Sequence, residues 1–166
     1  MARMLPIGSK APDFKLRLDT GENFRLRDVL GKQNIIITFF PDDFPRNEAR
    51  DTYPFLQNLQ QAQTLGAAVV AVSPSNLAAL RKLLTQFGFS ISIAADPTLE
   101  VCRNYRATWL RGLGLRQLTY VIDRNGIIQG RISHQLLGDK PWEQILRLLR
   151  ELGPASPRRE NIASRL

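Results

Sequence analysis

Apolar residues recur along this chain with two periods, and the places where one gives way to the other mark its elements. APDFKLRLD and NFRLRDVL alternate apolar and polar side chains, as half-buried strands do. Between them DTGE, Asp19 to Glu22, carries the Gly and Asp of a tight turn, so the chain is predicted to open with a hairpin. NIIITFF, Asn34 to Phe40, is apolar on both faces, which suits a central strand covered by helices on either side and ended by Pro41. From about Pro45 the period becomes helical, with Tyr53, Leu56, Leu59 and Gln60 on one side and Gln57, Asn58 and Gln61 diluting the other. Pro54 lacks the amide proton and crowds the preceding turn, so it is expected to kink or interrupt this helix. Gly66 ends it, and AAVVAVS, Ala67 to Ser73, is a second buried strand. Ser73 and Ser75 flank Pro74 before a helix that reaches about Phe87, buries Leu77, Leu80, Leu83, Leu84 and Phe87, and stops at Gly88. SISIAAD then gives a short strand and Leu99 to Tyr105 a helix, followed by an arginine-rich loop containing glycine. LTYVIDRNGIIQGRIS reads as a hairpin joined at Asp123 to Gly126, where Asn125 and Gly126 tolerate positive φ. The last helix starts near Pro141, turns Trp142, Ile145, Leu146 and Leu149 inward, and ends at Gly153-Pro154.

A βαβ crossover, a further βα step and an antiparallel hairpin capped by a helix make the order of a thioredoxin-like fold: α/β, a central mixed sheet flanked by helices, preceded here by an N-terminal hairpin. The 166 residues, 43% of them apolar, suffice for one core. Residues 1–153 are expected to form the domain and 154–166 a flexible polar tail. No internal repeat is visible. The first residues lack an apolar run behind their basic ones, and nowhere do about 18 apolar residues pass without a charge, so export and membrane spanning are disfavoured and a cytoplasmic compartment is expected. One cysteine, Cys102, and one histidine, His134, allow neither an internal disulfide nor a structural zinc site, and no metal or cofactor is expected.

Charge changes the picture more. The net charge of +8 comes from 18 Arg against 5 Lys, and a pI near 10.4 favours anionic partners. RNYRATWLRGLGLR sets Arg103, Arg106, Arg111 and Arg116 around Trp109 without one acidic residue. Such a run suits an acidic protein, a phosphate-bearing ligand or nucleic acid, and equally a solvated basic loop. No nucleic-acid motif accompanies it, so an acidic protein partner or a multiprotein assembly is the preferred reading.

NIIITFFPDDFPRNEAR, Asn34 to Arg50, resembles the active-site segment of peroxiredoxins, the alkyl hydroperoxide reductase and thiol-specific antioxidant family, and in particular its bacterioferritin-comigratory-like members. The family pattern there is Pro, three residues, Thr or Ser, two residues, then the peroxide-reducing Cys. GSKAPDFKL, EARDTYPF, VVAVSPS and LTYVIDRNG extend the resemblance over nearly the whole chain. Pro41 fits the first position, which places Pro45 where the hydroxyl belongs and Glu48 where the thiol belongs. A shorter loop, with Asn47, Glu48 and Ala49 lying beyond the thiol position, is the alternative alignment, and it recovers no cysteine either. The family's arginine lies two residues before the Thr of a strand matched by Thr119-Tyr120-Val121-Ile122-Asp123, so Gln117 stands in its place. Arg116 would be turned to the opposite face by the two-residue period of a strand. What the resemblance implies is a redox scaffold with its catalytic Cys, Thr and Arg positions emptied.

The thiolate is the nucleophile in such chemistry, and a carboxylate at Glu48 keeps the negative sign without the reversible oxidation. Cys102, beside Leu99 and Arg106 on one helical side, reads first as a small core residue facing the sheet. Its functional reading is a thiol acidified by Arg103 and Arg106. Phe39, Phe40, Phe44 and Tyr53 around the emptied site are read as packing, with a pocket or interface as the alternative, and a homodimer through this region stays open. His134 is assigned to the surface. The expected function is a non-catalytic relative acting by binding within an assembly; the alternative is a one-cysteine peroxidase or redox sensor using Cys102.

Overall fold

Every residue of β3, Ile35–Phe39, is buried, and this strand divides the molecule into two apolar cores. A computed structural model of the chain describes residues 3–40, 49–75, 77–109, 114–133 and 140–153. In chain order the other elements are β1 (Lys15–Leu18), β2 (Asn23–Arg25), α1 (Leu26–Val29), α2 (Ala49–Thr64), β4 (Ala68–Ser73), α3 (Leu77–Gln86) and β5 (Ser92–Ala95). They continue with α4 (Glu100–Asn104), β6 (Thr108–Trp109), β7 (Gly114–Leu115), β8 (Leu118–Ile122), β9 (Ile128–Ser133) and α5 (Lys140–Leu152).

The main sheet runs β2-β1-β5-β4-β3-β8-β9. β3, β4 and β5 are parallel, joined by helical crossovers, while β1, β2, β8 and β9 pair antiparallel with their neighbours. Alternation then sorts the side chains. Ile36, Phe40 and Val121 point to one face, against Phe55, Leu56, Leu59 and Ala62 of α2, Leu80 and Leu84 of α3, and Trp142, Ile145, Leu146 and Leu149 of α5. Ile35, Ile37, Phe39, Leu118 and Tyr120 point to the other, against Leu26 of α1, Val101 and Cys102 of α4, Tyr105, and Ala11 and Phe14 of the N-terminal segment.

The expected hairpins form, closed by bonds such as Leu18 N–H to the Glu22 carbonyl, 2.8 Å, and Asp123 N–H to the Ile127 carbonyl, 2.9 Å. Gly126 takes φ 81° in the second turn. Four expectations need correction. The second arm of the first hairpin pairs only through Asn23–Arg25. Leu26 is then drawn into the core at 1% exposure, and the next residues make a single helical turn. α2 is one helix through Pro54, so the chain is not interrupted there: one ladder bond, to the carbonyl four residues earlier, is lost, and burial of Phe55, Leu56, Leu59 and Ala62 holds the rest. α4 is short, so Arg106 is not on its face beside Cys102; it adopts φ 57° beyond the helix. The arginine-rich stretch is also no plain loop, since β6 and β7 pair as a small second sheet. The 154–166 tail lies outside the described residues.

Gly130 in β9 fixes how closely α5 approaches the sheet. A Cβ there would stand 3.0 Å from Leu148 Cδ2 and 3.1 Å from Ile145 Cδ1. Gly130→Val is therefore expected to destabilise the fold by about 1–3 kcal/mol through overpacking, read as a lower urea midpoint at unchanged m-value.

Candidate functional site

The carboxyl end of β3 holds the one polar side chain of that strand. Thr38 is fully buried, and in-register pairing of β3 with β8 sets it opposite Thr119, also fully buried. Their hydroxyls lie 2.8 Å apart, so two polar groups forced inward by strand alternation satisfy each other. Beyond them an aromatic row crosses from strand to helices. Phe40 meets Phe55 edge-on with centroids 5.2 Å apart, and Phe55 meets Trp142 at 5.4 Å.

Pro41, Phe44, Pro45 and Glu48 fall outside the described residues, as does the side chain of Tyr53. Phe39 does not belong with Phe40: it faces the other core, 5.6 Å from the ring of Tyr105. Alternation continued back from Thr119 assigns the half-exposed Gln117 to the α2 face, and Arg116 to the face of Leu118 and Tyr120. Arg116 is only 7% exposed, so it is not part of a surface group with Arg103 and Arg106. Its amide donates to the Ala107 carbonyl at 2.6 Å and its guanidinium to the Arg106 carbonyl.

Cys102 lies across the sheet from the Thr38 corner, among Val101, Tyr105, Ile35 and Phe39, with no exposed surface. Buried Asp96 accepts the Cys102 amide at 2.8 Å and also hydrogen-bonds the thiol. Burial pushes the thiol far up, the bond to Asp96 and that carboxylate's charge push the same way, and the charge of Arg103 opposes them weakly. Burial and the neighbouring carboxylate therefore both favour the thiol over the thiolate that a nucleophile requires.

Arg103 and Arg106 are exposed. Trp109 pairs with Gly114 through the β6–β7 backbone, while Arg111 and His134 lie outside the described residues. Sequence reasoning did not find the cluster around Tyr120, whose ring sits 5.6 Å from Tyr105 and whose hydroxyl donates to the Tyr105 carbonyl at 2.7 Å. Nor did it find Trp142 as part of the aromatic row or Thr38 as the partner of Thr119. The lone hydroxyl inside NIIITFF was the available signal for the last. Among the described residues no three His, Cys, Asp or Glu side chains gather as metal ligands, and no helix is long and apolar enough to cross a membrane.

A family model described as the AhpC/TSA family matches residues 7–131. The chain is 25% identical over 128 residues to peroxiredoxin Bcp of Bacillus subtilis, which covers 74% of this chain and 81% of that protein. Among solved structures, peroxidoxin BcpB from Mycobacterium tuberculosis superposes with a TM-score of 0.71 at 21% identity, covering 87% of this chain and 96% of the other. PrxQ from Xylella fastidiosa, solved as a cysteine-to-serine mutant, gives 0.70 at 17% identity over 90% and 98%. The fold is thus α/β and thioredoxin-like.

Burial also raises the phenols of Tyr105 and Tyr120. A raised value means that the folded state holds the proton more tightly than the unfolded chain does, so the stability it contributes is whole below the ordinary values, 9.0 for the thiol and 10.0 for the phenols, and is lost as pH rises above them. The stability read from urea unfolding is expected to fall as pH rises from about 9 to about 11, by up to about 1.4 kcal/mol per pH unit for each group. Cys102→Ala should flatten the first part of the decline; an unchanged slope in that variant would show the thiol to be free to ionise.

Proposed function

The chain belongs to the AhpC/TSA family, and from that premise we propose that it is a relative without peroxide turnover that acts by binding, as a structural or regulatory component of an assembly. The observation that carries this reading is the place of the chain's one thiol, Cys102: fully buried, pushed toward its protonated form by burial beside Asp96, and on the sheet face opposite the Thr38–Thr119 pair.

Attack on a peroxide O–O bond needs a thiolate that the peroxide can reach. At Cys102 a peroxide would have to pass through close-packed side chains, and the anion would form beside a carboxylate without solvent. Glu48 or a shortened turn at the family's thiol position supplies no sulfur in either alignment. Gln117 in the arginine position would carry no charge to polarise a peroxide. The exposed Arg103 and Arg106 and the net charge of +8 support an acidic protein as the partner.

Purified protein given hydrogen peroxide or an alkyl hydroperoxide with a thiol reductant is expected to consume it no faster than its Cys102→Ser variant. A rate at least tenfold above that variant would overturn the reading and restore a one-cysteine peroxidase.

A further inference from the structure

Residues Arg3 to Leu5 lie against the β8–β9 side of the sheet, held there by side chains from three distant parts of the chain. Nη1 of Arg106 donates to the carbonyls of Arg3 at 3.1 Å and Met4 at 3.5 Å. From β9, Nη1 of Arg131 donates to Leu5 at 2.9 Å and to the same Met4 carbonyl at 3.4 Å. The Leu5 amide donates to the Tyr120 hydroxyl at 3.2 Å. Two exposed guanidiniums therefore meet over one main-chain oxygen, and the charge of Arg116 is felt at the same phenol.

These cations are served differently from others on the surface. Arg27 has the Asp13 carboxylate at 3.1 Å, and Arg81 takes Asp19 through two bonds of 2.6 and 3.0 Å. Arg106 and Arg131, among the described residues, have neutral carbonyls alone and use only Nη1 on them. Hydrogen bonds between ionised partners are roughly twice as strong as neutral ones, and a guanidinium fork matches a carboxylate edge. Two positive charges held close without an anion repel each other, and a carboxylate between them removes that repulsion.

We propose that Arg106 and Arg131 form a docking site for a carboxylate-bearing peptide segment of a partner protein, which lies alongside Arg3–Leu5 and takes the Nε and Nη2 donors of both guanidiniums. The site is compact, two cations over one acceptor, which fits one or two neighbouring Asp or Glu side chains rather than the spaced phosphates of a nucleic acid. A second copy of this chain is a poorer occupant, because two molecules of net charge +8 repel each other. The proposal holds whether or not the chain turns over peroxide.

The test is fluorescence anisotropy of a labelled hexaglutamate peptide against the full chain at about 50 mM salt. Arg106 sits at φ 57°, a conformation glycine adopts more readily than arginine, so Arg106→Gly removes the guanidinium without straining the backbone. In combination with Arg131→Gln it is expected to weaken peptide binding at least tenfold. Lys15→Gln with Arg17→Gln, which removes two exposed charges from β1 on the other half of the sheet, is expected to change it less than twofold. Should the double variant fold poorly, Arg106→Gly alone, expected to cost at least threefold, decides. The proposal is overturned if the peptide does not bind, if the β1 control weakens it as much as the site variant, or if a thymidine hexanucleotide binds more tightly under the same conditions.

Discussion

Strand β3 is buried on both sides, and the alternation of its side chains decides which groups of this chain can meet. Ile36 and Phe40 belong to the core under α2, α3 and α5; Ile35, Ile37 and Phe39 belong to the core under α1 and α4. A slip of one residue against β4 or β8 would exchange the two sets and separate Thr38 from Thr119. Register is therefore fixed three times over: by the apolar set on each face and by a buried hydroxyl pair whose hydrogen bond a slip would break. The same partition reaches the loops. Arg116 and Gln117 are neighbours in sequence and are assigned to opposite sides of the sheet.

That partition governs the redox chemistry open to the protein. A thiolate needs solvent, a cation or backbone dipoles around it. The thiol of Cys102 lies on the face of β3 opposite Thr38, in the core with Ile35, Phe39 and Tyr105 and beside Asp96. Moving it to the other side is not a rotamer change but a passage through the sheet. A buried neutral thiol of this sort behaves as a small apolar residue, which explains its presence in a helix with only one turn facing the core.

Much of the fold was legible because both periods are strong where burial is complete. NIIITFF, AAVVAVS and the Asn125-Gly126 hairpin each state their structure in a few residues. The failures have physical causes. The Leu26 turn and the β6–β7 pair are set by tertiary contact, with the Leu26 amide bonded to the Phe14 carbonyl and Arg116 to Ala107, and neither contact has a local signature. Pro54 does not interrupt α2 because one missing ladder bond is small beside the burial of the two turns that follow it. Of the candidate site, the sequence shows directly that its one cysteine, Cys102, lies outside Asn34 to Arg50. The Arg106–Arg131–Tyr120 cluster could not be read, since Arg106 and Tyr120 hold residues more than one hundred positions away.

Charge acts here at two ranges that should be kept apart. The excess of eight positive charges attracts any polyanion and speeds encounter, but beyond about 10 Å at 0.1 M salt it is screened and it carries no geometric information. At contact distance, orientation decides. Arg81 and Arg27 are already committed to carboxylates of this chain, and the charge they add to the field is largely cancelled locally. Arg106 and Arg131 hold carbonyls, which fix their direction without neutralising them. On the proposed docking, an anion drawn in by the general field would meet Arg106 and Arg131 already oriented by the carbonyls of residues 3 to 5, so recognition there would depend more on how those residues lie than on how many arginines the chain contains.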